Sequence, residues 1–140
     1  MSAPFRVSRR VDFADTDMAG IIHFTAFFRY MEEAEHAFLR SLGLSVVMDW
    51  EGQSLGFPRV SASCDFVRPA RFEDVLDIEV RLARVGGKSL TYEIAFRMHG
   101  EPIASGKLSA VCCRMLPTGI ESIPVPERLR KRLLGTESVA

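Results

Sequence analysis

The sequence predicts an α+β fold in which a five-stranded antiparallel sheet wraps around one long helix, in the order β-α-β-β-β-β. Three observations carry this. Only one long stretch, Thr25 to Leu42, has a pronounced helical period, and the runs before and after it alternate apolar and polar residues with a period of two. One antiparallel sheet is the surface on which that helix can bury its apolar stripe.

The first strand is read from Phe5, Val7, Val11 and Phe13 on one parity, against Arg6, Ser8, Arg10 and Asp12 on the other. In the helix, Phe27, Tyr30, Met31, Ala34, Phe38, Ser41 and Leu42 share one face, with Arg29, Glu32, Glu33, His36 and Arg40 opposite. Gly43 follows as the expected left-handed cap. Val60, Ala62, Cys64 and Phe66 alternate up to the break at Pro69. Leu76, Ile78, Val80 and Leu82, then Leu90, Tyr92, Ile94, Phe96 and Met98, form two strands joined by a hairpin at Gly86-Gly87. A second turn at His99 to Pro102 leads to a last strand, Ile103 to Met115. Its blurred alternation predicts burial on both faces near the sheet centre. Residues 117 to 126 read as loop, and Glu127 to Leu134 as a short basic helix in a peripheral tail. One helix covers only part of such a sheet, so its long edges predict pairing with a second copy, as a homodimer or homotetramer.

Composition narrows the function classes. The 140 residues make one domain of ordinary size, and 47% hydrophobic with 26% charged residues is a globular profile. Eighteen basic residues balance eighteen acidic ones, which argues against a general nucleic-acid binder. No apolar run has the length of a membrane span, and the opening Met-Ser-Ala-Pro-Phe-Arg lacks the apolar core of a signal peptide. Three cysteines, two of them adjacent (Cys112, Cys113), suit neither a disulfide framework nor a zinc site. A reduced, cytoplasmic protein is expected.

The segment from Asp12 to Phe24 is the one long strand-to-helix connection, and it carries three carboxylates: Asp12, Asp15 and Asp17. It delivers the chain to the helix N-terminus, where unpaired N–H groups and the dipole favour an anion or oxyanion. Both effects favour the charged form of a carboxylate held there. A charged carboxylate beside N–H donors is a minimal apparatus for hydrolysing an activated acyl group, by direct attack or through water. Metal and nucleotide readings fail on spacing. In Asp15-x-Asp17-x-x-Gly20, Ala19 and Ala26 stand where a calcium loop needs oxygen ligands. Glu33-x-x-His36 has no second copy to complete a di-iron site. Gly87-Lys88-Ser89 has Leu82 where a phosphate loop needs its first glycine.

Asp15-Thr16-Asp17-Met18-Ala19-Gly20-Ile21-Ile22, the aromatic-rich helix after it and the strand order together resemble the hotdog-fold acyl-CoA thioesterases, specifically the 4-hydroxybenzoyl-CoA thioesterase family. The likeness runs from Phe5 to about Met115 and includes Phe66-Val67-Arg68-Pro69-Ala70 and Asp74-Val75-Leu76. It implies hydrolysis of an acyl-CoA to a carboxylic acid and coenzyme A. By that resemblance Asp17 is the catalytic carboxylate, as nucleophile or general base, and Asp15 is structural. Gly20 lets the backbone turn closely around the thioester, and backbone N–H groups near His23 and Phe24 polarise its carbonyl. Lys88 and Ser89 resemble a basic hairpin tip that contacts coenzyme A phosphates. Charge logic adds Arg84 and the basic stretch Arg128, Arg130, Lys131 and Arg132. No metal and no cofactor are implied, coenzyme A being part of the substrate. Two other classes share the scaffold: a non-catalytic acyl-CoA binder, and an enoyl-CoA hydratase or dehydratase. Histidine or glutamate on the helix, rather than Asp-Thr-Asp before it, would mark the hydratase.

Overall fold

The computed structural model describes residues 4–135. Its main layer is a five-stranded antiparallel sheet ordered β1-β5-β6-β7-β4, from β1 (Phe5–Arg10), β4 (Arg59–Phe66), β5 (Val75–Val85), β6 (Ser89–Met98) and β7 (Glu101–Val111). Helix α1 (Phe24–Ser41) lies along one face. The alternation is realised in β5 and β6: Leu76, Ile78, Val80, Leu82, Leu90, Tyr92, Ile94 and Phe96 are all buried. Phe27 meets Phe96 edge to face, and Phe38 meets Tyr92 in the same way, so the helix stripe interlocks with the central strand. At the next strand the helix comes closer still. A Cβ on Gly106 would collide with the Met31 sulfur and approach the Ser63 carbonyl to 3.2 Å, so a side chain there would force Met31 of α1 to shift.

The turns follow the sequence. Gly86-Gly87 joins β5 to β6, and His99 (φ 52°) with Gly100 (φ 79°) supplies the two left-handed residues of a tight hairpin into β7. Gly43 (φ 75°) ends the helix region as a left-handed residue.

The six-element order is incomplete. A second antiparallel sheet, ordered β2-β3-β8-β9, joins β2 (Val47–Trp50) and β3 (Gln53–Gly56) to β8 (Cys113–Leu116) and β9 (Gly119–Ser122). The blurred run from Ile103 is therefore two strands in different sheets, with the break at Cys112, and not one central strand. From Ala104 on, its β7 part buries one face, with Ala104, Leu108 and Ala110 inward and Ser105 and Lys107 exposed; Ile103, at the register shift opposite Phe96 and Arg97, is buried as well. Phe13, expected on strand parity, sits in a 3-10 turn (Phe13–Asp15) and is 74% exposed. The tail expected to be peripheral carries α2 (Glu127–Leu133), whose Leu129 and Leu133 are fully buried with Ile123 and Val125 nearby in the core. Among the described residues no helix is long and apolar enough to cross a membrane.

Candidate active site

The connection from β1 to α1 is fixed by Asp15, 5% exposed, which anchors the loop from inside. Its carboxylate accepts the Tyr30 hydroxyl at 2.6 Å, pairs with Arg29 and lies 3.8 Å from Arg9, while its backbone carbonyl accepts the His23 N–H at 2.7 Å. This is the structural role the sequence assigns it, made through side chains as well as backbone. Burial, then the hydrogen bond to Asp15, pushes the Tyr30 phenol up to about 12.

Beyond this anchor the chain makes a closed loop. Asp17 N–H donates to the Ile21 carbonyl at 2.9 Å, Gly20 N–H donates to the Asp17 carbonyl at 2.9 Å, and Ile22 N–H reaches the Ala70 carbonyl at 2.7 Å. Gly20 holds φ +78°, the left-handed conformation that a side chain resists, which is why glycine stands there. The Asp17 carboxylate is exposed, and its Oδ1 accepts the Ala19 N–H at 2.9 Å. Its other oxygen has no hydrogen-bond partner among the described residues.

Helix α1 then starts, and its first N–H groups are divided unequally. His23 is the N-cap: its ring Nδ1 accepts the Thr25 N–H at 3.2 Å and its plane stacks on Phe24 with centroids 4.8 Å apart. The His23 N–H is spent on Asp15, and the Ala26 N–H on the His23 carbonyl. The Phe24 N–H has no partner among the described residues and is the remaining donor at the dipole's positive end. Of the two donors expected near His23 and Phe24, only that of Phe24 is open to a ligand.

Asp17 and Phe24 line one groove of about 390 Å³, together with Ile21, Ile22, Phe27, Phe66, Val67, Arg68 and Pro69. The buried Phe27 ring floors it and packs 5.2 Å from the Phe66 ring. Phe66, Val67 and Arg68 were read from the sequence as strand and family likeness rather than as site residues. The available signal was an apolar residue at the end of a strand just before Pro69. Because β4 is a sheet edge, its inward parity stays half open: Phe66 is 49% exposed and Cys64 is half-buried, and Val67 just past the strand is 60% exposed.

The basic residues expected at the nucleotide end lie elsewhere in the chain. Lys88, Ser89 and Arg84 surround the β5–β6 hairpin tip, and Lys88 is eight residues along from Phe96, about 26 Å at ~3.3 Å per residue. Phe96 is the β6 residue that touches the groove floor, so one chain does not bring the tip to its own Asp17. Three arginines of the basic tail make contacts within the chain. Arg130 donates to the Val85 and Gly86 carbonyls at 3.0 and 2.8 Å, Arg132 to the Leu42 carbonyl at 3.3 Å, and Arg128 pairs with Glu51 at 3.4 Å.

One buried ion pair escaped the sequence reading. Glu35, 1% exposed, receives both guanidinium nitrogens of Arg59, with Nη1 to Oε2 at 2.9 Å, and so ties α1 to the start of β4. Burial raises the Glu35 carboxyl above its ordinary range while Arg59 opposes the rise. Glu33 pairs with Arg9 at 2.7 Å, and no group of three metal-ligating side chains converges among the described residues. The three cysteines are free, with Cys112 and Cys113 buried.

The chain is similar to known thioesterases. A profile of the thioesterase-like superfamily matches residues 11–133. The chain is 33% identical over 107 residues to a 1,4-dihydroxy-2-naphthoyl-CoA hydrolase of Prochlorococcus marinus, covering 71% of this chain and 70% of that one. A solved 1,4-dihydroxy-2-naphthoyl-CoA thioesterase from Synechocystis superposes with a TM-score of 0.81 at 25% identity, covering 94% and 96% of the two chains. A solved gentisyl-coenzyme A thioesterase superposes at 0.77 with 30% identity, covering 92% of this chain and 99% of its own. With the match extending from the end of β1 through α2, the chain belongs to the thioesterase-like superfamily.

Proposed function

We propose that this protein hydrolyses an acyl-CoA thioester, with Asp17 as the catalytic carboxylate and the Phe24 N–H as the oxyanion donor. The observation that carries the reading is the convergence of these two groups on one apolar groove. An exposed carboxylate and an unpartnered helix-start N–H, on two residues that line one groove, support nucleophilic or base-assisted acyl transfer at a thioester carbonyl bound between them. Either Asp17 attacks the carbonyl carbon and the thiolate leaves, with water cleaving the resulting anhydride, or Asp17 takes a proton from the attacking water. In both routes the carbonyl oxygen gains negative charge against the Phe24 N–H. Water supplies the new oxygen and the thiolate leaves as the thiol.

Three phenyl rings, Phe24, Phe27 and Phe66, border the groove, and flat aromatic acyl groups fit such walls best. The relatives named for naphthoyl and gentisyl substrates support that class. The open β4 edge, with Val60 64% and Val67 60% exposed, supports pairing with a second copy. Such pairing would extend the groove wall from the partner and bring groups from a second chain to it. Sedimentation then gives twice the chain mass or a larger multiple, and a monomer at micromolar concentration refutes it.

Thiol release from acetyl, long-chain, benzoyl, hydroxybenzoyl and phenylacetyl coenzyme A tests the reaction. Turnover with an aromatic member leading is expected; tight acyl-CoA binding with no thiol released would instead identify a binding protein.

A further inference from the structure

Asp17 borders two depressions. Besides the groove floored by Phe27, it lines a second cleft of about 470 Å³ together with Phe13, Thr16, Met18, Gly20 and Phe72. The Phe13 and Phe72 rings meet edge to face at 5.6 Å although they are 74% and 49% exposed, and Met18 is fully exposed. Nothing in the core requires this pair. Arg71 stands at the rim, its Nη1 3.5 Å from the Gly20 carbonyl, and no carboxylate pairs with its guanidinium among the described residues.

We propose that the cleft of Phe13, Met18 and Phe72, with Arg71 at its rim, holds the pantetheine chain of the substrate's thiol arm. The inference rests on the thioesterase reading and extends it. A thioester has two arms, one on the carbonyl carbon and one on sulfur. With the carbonyl at Asp17 and its oxygen at the Phe24 N–H, the arms depart to the two sides of Asp17. The groove is closed by a buried ring and suits a compact, uncharged acyl group. The cleft is lined by side chains that are themselves exposed, and suits the long arm, which must return to water. Pantetheine carries methyl and methylene groups that lie against phenyl and thioether surfaces. Its amide and hydroxyl oxygens are acceptors for the free guanidinium donors of Arg71. The hairpin tip with Lys88 lies about 26 Å along the strand from Phe96, which packs on the groove floor, at ~3.3 Å per residue, so the first stretch of the arm needs a local partner of this kind.

The test compares thiol arms at a fixed acyl group and acyl groups at a fixed arm. The acyl group best turned over by the wild type is presented as its pantetheine and its N-acetylcysteamine thioester. Phe13→Ala/Phe72→Ala raises KM for the pantetheine thioester about ten-fold, as loss of ring contact implies. The rise is smaller for the truncated thiol and does not change with the length of the acyl group. Arg71→Ala raises KM in the same order of substrates. Both rings are on the surface, so an unchanged melting temperature shows that the variants fold. An equal rise on both thiols, a rise that tracks the acyl group, or no rise at all overturns the inference while wild-type turnover leaves the thioesterase reading standing. Absence of wild-type thiol release overturns both. Coenzyme A and acyl carrier proteins share this arm. A wild-type preference for the acyl-CoA over the same acyl group on a holo carrier protein, or the reverse, names the source, and either result places the arm in the cleft only if the variant loses it.

Discussion

Phe24→Pro isolates the oxyanion donor, because it deletes one N–H and leaves the helix that presents it. Phe24 is the first residue of α1, the position at which proline is best tolerated, since that N–H has no intrahelical partner. The preceding His23 has φ −66° and ψ 138°, the extended conformation that a following proline requires. The capping bond from Thr25 N–H to the His23 ring does not pass through residue 24. The ring itself is 58% exposed, so its loss costs little stability, within about 1 kcal/mol. Phe24→Ala is the matched control: it removes the ring and keeps the N–H. Removing one preorganised oxyanion donor costs about 10²–10³ in kcat, or about 2.7–4 kcal/mol of barrier. Relative to Phe24→Ala, Phe24→Pro is therefore expected to lose about a hundred-fold or more in thiol release, with an unchanged far-ultraviolet circular dichroism spectrum. A folded Phe24→Pro protein as active as Phe24→Ala would refute the placement of the oxyanion at this N–H.

Three further outcomes are expected. Asp15→Ala leaves the Tyr30 hydroxyl and the Arg29 charge without their buried acceptor, so the urea midpoint should fall by the equivalent of about 3 kcal/mol; a shift below about 1 kcal/mol contradicts the anchoring role. The raised Tyr30 phenol means that the folded state holds its proton more tightly than the unfolded state, so its contribution is fully present below pH 10 and is lost as pH rises from 10 towards 12. Urea midpoints across that window should fall less steeply in Tyr30→Phe, and identical slopes would remove Tyr30 from the alkaline transition. Gly106→Ala places a Cβ against Met31 and should cost about 1–3 kcal/mol by urea denaturation, whereas a neutral result would show that α1 has room to move away.

What could be read in the sequence followed from how strictly burial constrains each element. Leu76 to Leu82 and Leu90 to Phe96 lie in the sheet's interior strands under α1, so their inward parity had to be apolar and the pattern was clean. The second sheet escaped because its strands are four residues each, too short for an alternation to stand out, and because β7 runs into β8 with one intervening residue. Glu35 escaped for a different reason: its burial depends on Arg59, which reaches it from a strand 24 residues away. At the site, the Asp-x-Asp-x-x-Gly spacing was visible, and the left-handed Gly20 and the buried Asp15 agree with it. The division of N–H groups at the helix start was not visible, since it hinges on the Asp15 carbonyl capturing the N–H of His23. How far Lys88 stands from the Asp17 of its own chain was not visible, because charge at a hairpin tip says nothing about which end of the sheet that tip occupies.

The most direct test of the account is the rate of thiol release by Asp17→Asn beside the wild type. Asparagine keeps an Oδ1 that accepts the Ala19 N–H, and the side chain is exposed, so the variant should melt with the wild type. What it loses is the charge that attacks the carbonyl or activates water. A fall in kcat of about a thousand-fold, or roughly 4 kcal/mol of barrier, is expected with the fold intact. A folded Asp17→Asn protein that keeps a tenth or more of wild-type turnover would contradict the central claim.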